Sequence, residues 1–282
     1  MSNKVVAFCG TGSMNGAILS GLLASGFDAS AVRATTHSQD SADQLKKSLG
    51  DNGEKVQILA SETESDANAQ AVADAYVVLL GVKPYGIVEL AQEIAEHVRK
   101  EAVVISVAAG INLDALTRAL NGGQPVVRCM PNTPSKVGKG VLAISVGEHV
   151  SDEQRKDVTE ILSSVGEVIE VEEDQMDAVV AVSGSGPAYA YLLAESMADA
   201  GVKLGLDEAT AKKLASLTVA GAGAMLFEDQ DAESLRKAVM SPNGTTERGV
   251  QAFIDGGQFE LTEKGMRACA ERSAEMTEEF SK

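Results

Sequence analysis

The 282-residue sequence predicts an α/β protein in which an N-terminal doubly wound, Rossmann-type parallel sheet domain is followed by an all-α dimerisation domain. Short β-branched runs alternate with helix-like stretches up to about residue 172, and a glycine-rich turn follows the first run. Beyond that point Ala, Leu, Met, Glu and Lys recur at helical spacing. The predicted domains are therefore residues 1–172 and 173–282.

The predicted strands are apolar on both pleat faces, which is typical of strands buried in a parallel sheet. They occupy residues 4–10, 31–36, 75–83, 102–110, 125–131, 140–146 and 166–173. The intervening segments are long enough for crossover helices. The polar segment 50–69 is expected to contain a loop.

Three long helices are predicted in the second half. The first covers residues 188–205 and closes on Gly205, the second begins after a capping Asp207, and the third covers 259–280. Residues 218–227 place Ala and Gly on every face of the second helix, which allows close approach of another backbone. We expect this helix to pack in a tight bundle across a homodimer interface.

Composition excludes several classes of function. The 41 acidic residues against 24 Lys and Arg give a net charge of -17, which disfavours nucleic acid and anionic membranes as partners. Cys9, Cys129 and Cys269 are far apart and form no CxxC pair, so neither a disulfide framework nor a metal site is expected. The first residues resemble neither a signal peptide nor a membrane span, so we expect a cytoplasmic protein.

The stretch "VVAFCGTGSMNGAILSGLLASG" places a strand, a glycine turn and a helix in the order that a dinucleotide site requires. Gly10 permits the tight turn, and Gly12 lets backbone amides approach a pyrophosphate at the helix N-terminus. Asn15 stands where a third glycine is usual. The alternative is a tight turn without a ligand.

The end of the next strand distinguishes the two nicotinamide cofactors. NAD sites usually place an acid there for the ribose 2′-hydroxyl, but no acid occurs between Asp28 and Asp40. The strand instead runs into Thr35, Thr36, His37 and Ser38. This favours NADP, with an ordinary polar loop as the alternative.

Two further strand ends fall at the carboxyl edge of the predicted sheet, where such folds bind ligands. In the stretch Val82, Lys83 and Pro84, the lysine suits ribose or phosphate. The small residues 108–110 leave room for a flat nicotinamide. Each stretch is otherwise only an exit from a strand to a loop.

No familiar catalytic motif is present, which fits hydride transfer because the cofactor performs that chemistry. Glycine-rich stretches open two predicted helices, at 183–187 and 241–246. Hydroxyls and free amides at a helix start bind a carboxylate, although Pro and Gly also simply punctuate helices. The adjacent hydroxyls of Thr245 and Thr246 favour a functional role for the second stretch.

Several motifs occur in order along the whole chain, namely "GTGSMNGAI", "GVKP", "VAAG", "RCMPNTP", "VSGSGPAY" and "LRKAVMSPNGTTERG". With them the sequence resembles the pyrroline-5-carboxylate reductase family. The resemblance implies NADPH-dependent reduction of 1-pyrroline-5-carboxylate to L-proline, the last step of proline biosynthesis, with NADH as a weaker cofactor. It also implies a homo-oligomer built on helical dimers.

The resemblance also implies site residues. The implied cofactor contacts are Gly10, Gly12, Ser13, Met14, Thr36, His37, Ser38, Asn68, Val82, Lys83, Pro84, Ala108, Ala109 and Gly110. The implied substrate contacts are Ser241, Gly244, Thr245, Thr246 and Glu173, with Thr246 in the catalytic role. Asn15 and Asn243 replace residues that are usually Gly or Ala in the family, and we expect them to tune affinity.

Two alternatives remain at this point. An NADP-dependent hydroxyacid-type dehydrogenase of similar layout would need a Lys or His acid in the helical half. A catalytically silent NADP-binding oligomeric module would not need the turn at 241–246.

Overall fold

The sheet in the computed structural model, which describes residues 4–281, contains eight strands. They are β1 Val6–Cys9, β2 Val32–Thr36, β3 Gln57–Ala60, β4 Val77–Leu80, β5 Val103–Ser106, β6 Val126–Met130, β7 Gly140–Val146 and β8 Gly166–Glu170. Their order across the sheet is β3-β2-β1-β4-β5-β6-β7-β8. The chain winds outward in both directions from β1, which confirms the predicted doubly wound fold.

Side chains of β1 alternate between two apolar layers. Phe8 packs with Ile18 and Leu19 on one face of the sheet, whereas Cys9 packs with Leu80 and Ile87 on the other. Because both faces are covered, the strand is apolar at every position, as the pattern predicted.

The last two strands depart from the predicted parallel arrangement. β7 pairs antiparallel with β6, and β8 pairs parallel with β7 at the edge of the sheet. Residues 131–139 between β6 and β7 form only a short 3-10 turn, and a parallel crossover needs a longer connection. β8 is also mostly exposed rather than buried, because it has a neighbour on one side only.

The segment 50–69 contains more than the expected loop. Gln57–Ala60 is a strand that pairs parallel with β2. Its residues are buried only at its end, and it is four residues long, so it carries too few apolar side chains to stand out in the sequence.

The helices that cover the sheet and lead out of it are α1 Ser13–Ala24, α2 Gln39–Ser48, α3 Ala67–Val72, α4 Ile87–Ile94, α5 Leu113–Ala119, α6 Asp152–Leu162 and α7 Met176–Val179. A π-helical turn at Val180–Gly184 follows α7. The sheet unit comprises the residues up to Gly184 together with those from Cys269 onward.

The second unit, Ser185–Ala268, is entirely helical. Its helices are α8 Gly186–Lys203, α9 Glu208–Glu228, α10 Ala232–Ala238, α11 Thr245–Asp255 and the first part of α12 Gln258–Phe280. Two predicted helix ends are confirmed. Gly205, which follows α8, has φ 103°, and the carboxylate of Asp207, which precedes α9, accepts a hydrogen bond from the Thr210 amide at 3.0 Å.

Two of the three cysteines are chemically protected by the sheet. Burial raises the pKa of the Cys9 thiol to about 12, with the Glu93 carboxylate adding to the rise, and burial also raises the pKa of the Cys129 thiol. Since the thiolate is the reactive form, we expect Cys9 and Cys129 to resist Ellman's reagent at about pH 8 in the native protein and to react after denaturation. Labelling of Cys9 in the folded protein, located by mass spectrometry, would contradict this.

Candidate functional site

A cleft of about 490 Å³ opens where β1, β4 and β5 end at the carboxyl edge of the sheet. This is the edge at which doubly wound folds bind ligands. The cleft is lined by Gly10, Thr11, Gly12, Ser13, Met14, Thr36, His37, Ser41, Gly81, Val82, Lys83, Pro84, Val107, Ala108 and Ala109. Eleven of the fourteen predicted cofactor residues are among them, and Ser38, Asn68 and Gly110 are not.

The turn between β1 and α1 requires glycine. Gly10 has φ 75°, and a Cβ there would lie 2.3 Å from the Val82 side chain. Gly12 is the N-cap of α1, where no side chain caps the helix and no acid occupies the first turn. The first amides of α1 are therefore available to an anion, and a pyrophosphate fits this position.

Asn15 supports the same turn through hydrogen bonds of its buried side chain. Its side chain is fully buried, and Nδ2 donates to the Leu79 carbonyl at 3.2 Å and to the Cys9 carbonyl at 3.4 Å. A Cβ on Gly81 would lie 2.3 Å from this amide. Asn15 thus joins the ends of β1 and β4, and glycine at position 81 makes the room that a third glycine in the motif would otherwise provide.

Thr35 was not among the implied cofactor contacts, but it supports the phosphate turn. Its Oγ1 accepts a hydrogen bond from the Gly10 amide at 3.0 Å and donates to Asn68 Oδ1 at 2.7 Å. Asn68 in turn donates to the Glu93 carboxylate at 3.1 Å. The sequence signal was a hydroxyl at a buried position of a strand end.

The loop after β2 forms another part of the cleft. Thr36 and His37 line it, as does Ser41 in the first turn of α2. Ser38 is the N-cap of α2, and its side chain accepts a hydrogen bond from the Ser41 amide at 3.2 Å. These hydroxyls and amides surround the position where a ribose 2′-substituent is bound in such folds.

The loop after β5 is held in place by the C-terminal part of α12 and by Ser281. Gly110 has φ 76°, and a Cβ there would lie 3.2 Å from Met276 and Phe280 of α12. Ser281 Oγ donates to the Gly110 carbonyl at 3.1 Å and accepts from the Asn112 amide at 3.1 Å. Gly110 therefore anchors the loop, while Ala108 and Ala109 face the cleft.

Glu173 lies in the sheet unit and is joined to a residue that the sequence interpretation did not select. Its Oε1 accepts hydrogen bonds from Arg128 Nη1 at 2.9 Å and from the Leu113 amide at 3.1 Å. Arg128 is almost fully buried and pairs with Ser106 of β5 in register. The signal was a cation within an apolar strand. The pair links β6 to the segment that follows Gly110.

Breaking this ion pair should destabilise the protein. We expect Arg128→Met to lower the free energy of unfolding by about 2 kcal/mol, less than for a fully buried pair because the Glu173 side chain is 32% exposed. Urea denaturation checks this. Adding Glu173→Gln should recover part of the loss, since no unpaired carboxylate then remains, and a double variant as unstable as the sum of the single variants would contradict the pairing.

In the helical unit, the predicted substrate residues form one turn. The Gly244 amide donates to the Ser241 carbonyl at 2.9 Å, and a Cβ on Gly244 would lie 2.9 Å from that oxygen. Gly244 is the N-cap of α11 and receives no side-chain cap. Thr245 and Thr246 are the exposed first residues of α11, so their amides and hydroxyls are open to an anion.

Asn243 completes this turn in the left-handed region, with φ 58°. Asn adopts this conformation more readily than most residues, which explains why it substitutes for glycine here. Its amide donates to the Glu247 carboxylate at 2.7 Å and fixes the turn to α11. The preceding helix, α10, ends at Ala238, three residues before Ser241.

In the other glycine-rich stretch, Gly184 has a packing role. A Cβ on Gly184 would lie 2.6 Å from the Met130 side chain, and Asn132 donates to the Ser183 carbonyl at 3.0 Å. Asn132 Oδ1 also accepts from the Val141 amide at 2.9 Å. The motif around residues 128–134 is thus joined by packing to the π-helical turn at Val180–Gly184, within the sheet unit.

Side chains suited to other chemistry are occupied or dispersed. Lys203 and Lys212 are exposed and pair with Asp199 and Glu208 one helical turn away, both at 2.5 Å. Over residues 4–281, no group of three or more His, Cys, Asp or Glu side chains is arranged to hold a metal ion.

Comparisons with known proteins agree with this geometry. A family model described as pyrroline-5-carboxylate reductase dimerisation matches residues 173–276, and one described as NADP oxidoreductase, coenzyme F420-dependent, matches residues 5–110. The chain is 40% identical to the pyrroline-5-carboxylate reductase of Pseudomonas aeruginosa, with 99% of both chains covered.

Solved structures give the same result. The structure of a pyrroline-5-carboxylate reductase from Coxiella burnetii superposes with a TM-score of 0.89 at 34% identity, covering 98% of this chain and 99% of that one. The Plasmodium falciparum pyrroline carboxylate reductase with NADP bound superposes with a TM-score of 0.81 at 26% identity, covering 98% and 99%.

Proposed function

The chain belongs to the pyrroline-5-carboxylate reductase family and is an NADPH-dependent oxidoreductase of proline biosynthesis; we propose that its cleft and its Ser241–Thr246 turn reduce the imine 1-pyrroline-5-carboxylate to L-proline. The observation that carries the proposal is the uncapped, acid-free start of α1 behind two glycines. It fits the pyrophosphate of a dinucleotide, and the near-complete coverage of the relatives supports the substrate.

We assign the cleft residues by their chemistry. The amides of Ser13 and Met14 bind the pyrophosphate, the Thr36–Ser38 loop binds the adenosine ribose, and Lys83 binds phosphate or ribose. The small side chains of Ala108 and Ala109 leave a flat surface for the nicotinamide. When bound, NADPH supplies the hydride, so the protein's task is to orient the reactants and to exclude water.

The turn in the helical unit binds the substrate carboxylate. The amides and hydroxyls from Gly244 to Thr246 donate to it, with the positive end of the α11 dipole adding to the attraction. Thr246 hydrogen-bonds near the ring nitrogen and helps to keep that nitrogen protonated. Protonation matters because a protonated imine accepts hydride more readily than a neutral one. Ser241 shapes the turn through its carbonyl, which accepts from the Gly244 amide.

Glu173, which is distant in sequence from this turn, contributes to the shape of the cofactor cleft. We propose that it acts by holding the backbone at Leu113 and the Arg128 guanidinium, which keeps the loop carrying Ala108 to Gly110 in place. Asn68 acts similarly for the phosphate turn through Thr35.

We propose that function divides along the chain, with residues 1–172 binding NADP and residues 173–282 providing the substrate turn and the dimer. The family model for dimerisation, which begins at residue 173, supports this division and indicates a homo-oligomer. Within the helical unit the buried apolar residues are three alanines, Ala198, Ala211 and Ala215. Large apolar side chains there are mostly exposed, which favours a homodimer.

A charge in this apolar surface should weaken the dimer. Leu217, which precedes the glycine- and alanine-rich part of α9, is 63% exposed. We expect the wild type to sediment as a dimer or a higher homo-oligomer at micromolar concentration and Leu217→Lys to dissociate or lose stability. Gln44→Lys, the same change of charge on α2, should behave as the wild type. A monomeric wild type would contradict the proposal.

The reaction is tested by the loss of NADPH absorbance when pyrroline-5-carboxylate is added, with a 2-keto acid as the control substrate. Turnover of the imine and not of the keto acid is expected. The reverse result would favour the hydroxyacid-type dehydrogenase. That enzyme would need a Lys or His acid in the helical half, but Lys203 and Lys212 are exposed and paired with carboxylates. Absence of turnover with both would favour a silent NADP-binding module.

The described helices and the net charge bear on membranes and on nucleic acid as partners. No helix within residues 4–281 is long and apolar enough to cross a membrane. The net charge of -17 supports the prediction that nucleic acid is not a partner. A location in the cytoplasm stays a prediction from the sequence.

A further inference from the structure

Glu62 follows β3, and the backbone places it beside the loop that ends β2. The Ser61 amide donates to the Thr36 carbonyl at 3.0 Å, and the Glu62 amide donates to the His37 carbonyl at 2.9 Å. These bonds continue the pairing of β2 with β3 beyond the end of both strands. The position of residue 62 next to His37 is therefore fixed by the sheet.

The carboxylate of Glu62 faces the start of α2. Its Oε2 accepts a hydrogen bond from the Gln39 amide at 3.4 Å. The Ser41 amide is already bonded to Ser38 Oγ. A carboxylate thus occupies one of the few backbone donors that a 2′-phosphate would use, and Asp40 adds a second negative charge in the same turn.

Cations that would offset this charge are scarce in the loop. Residues 35–45 contain no Lys or Arg, and His37 is the only basic residue in that stretch. An NADP site commonly supplies an arginine for the 2′-phosphate, whereas an acid at this place accepts from the 2′-hydroxyl of NAD. The acid that is missing at the end of β2 is supplied from the end of β3.

We infer that Glu62 is a specificity-determining residue that limits the preference of this enzyme for NADPH over NADH. The inference rests on the proposed function, because it takes the cleft to be the cofactor site. A 2′-phosphate carries close to two negative charges and is repelled by the carboxylate, while a 2′-hydroxyl donates to it. Glu62 therefore weakens the binding of NADPH and strengthens the binding of NADH.

Equilibrium binding tests this without turnover. The probes are 2′,5′-ADP, which carries the 2′-phosphate, and 5′-AMP, which does not, each titrated by calorimetry against the wild type, Glu62→Gln and Glu64→Gln. Glu64 lies two residues further along the same loop and is the matched loss of one charge. Glu62 is exposed, so its substitution should leave folding intact.

We expect Glu62→Gln to tighten 2′,5′-ADP binding about 3- to 10-fold and to leave 5′-AMP binding unchanged or weaker. Glu64→Gln should change the ratio of the two dissociation constants by less than about 2-fold, since a more distant charge that is partly open to solvent is screened. The gain from Glu62→Gln should also shrink at about 1 M salt. The same shift should appear in the ratio of kcat/KM for NADPH and NADH.

Two negative results have different meanings. If Glu62→Gln binds 2′,5′-ADP no more tightly than the wild type, or if Glu64→Gln gives the same gain, Glu62 does not determine specificity. If the wild type binds neither probe and does not oxidise NADPH with pyrroline-5-carboxylate, the proposed function fails, and the inference about Glu62 fails with it.

Discussion

Replacing Thr246 with Ala is expected to lower kcat/KM for pyrroline-5-carboxylate about 10- to 150-fold, which corresponds to about 1.5 to 3 kcal/mol of lost transition-state stabilisation. Thr246 is an exposed residue in the first turn of α11, next to an uncapped N-terminus. Its hydroxyl is proposed to bond near a ring nitrogen that must stay protonated while hydride reaches the adjacent carbon. Loss of a bond to a charged group costs more than loss of a neutral one.

Steady-state kinetics with both reactants varied separate this role from a structural one. KM for NADPH should change little in Thr246→Ala, because the cofactor contacts are assigned to other residues. Thr246→Ser keeps the hydroxyl and should retain most of the activity. Kinetics of Thr246→Ala that match the wild type would remove Thr246 from the mechanism.

The second large effect is expected from Gly10→Ala, which should weaken NADPH binding at least about 30-fold. Gly10 has φ 75°, where an alanine is strained by about 1 to 2 kcal/mol, and its Cβ would lie 2.3 Å from Val82 and 3.1 Å from the Val82 amide nitrogen. The turn must shift to relieve this overlap, and the Gly10 amide then loses Thr35 Oγ1. Val82 itself lines the cleft, so the shift reaches the cofactor.

Fluorescence titration with NADPH measures this effect, and circular dichroism confirms that the variant is folded. Gly16→Ala is the matched control, because Gly16 lies in α1 and a Cβ there meets nothing within 4 Å. It should bind NADPH normally and gain about 0.5 to 1 kcal/mol in unfolding free energy. Wild-type affinity in Gly10→Ala would show that the turn does not hold the cofactor.

Much of the fold could be predicted because its signals are local. β1 is apolar at every position since both of its faces are covered, and that pattern is visible in a few consecutive residues. The start of α9 is equally local, because Asp207 caps an amide only three residues away. β3 and the direction of β7 were not predicted correctly, since a short edge strand buries little and pairing direction depends on the connection between strands.

The candidate site shows the same division. Gly10 and Gly12 were identified because the turn, the strand before it and the helix after it are contiguous in sequence. Thr35 and Arg128 were not, because their roles depend on partners that lie 25 and 45 residues away along the chain. No property of a single strand indicates which distant side chain its end will meet.

The sequence by itself determined the doubly wound sheet, the glycine turn, the helical second half and the family, because each is written in short motifs or in the period of apolar residues. The tertiary structure alone decided the antiparallel β7, the buried pair of Arg128 and Glu173, and the approach of Glu62 to the start of α2. The absence of an acid at the end of β2 favoured NADP, yet folding brings an acid to that place from β3. The physical reason is that a parallel sheet gathers the ends of strands that are far apart in sequence at one edge, so the charge at that edge is a sum over distant segments.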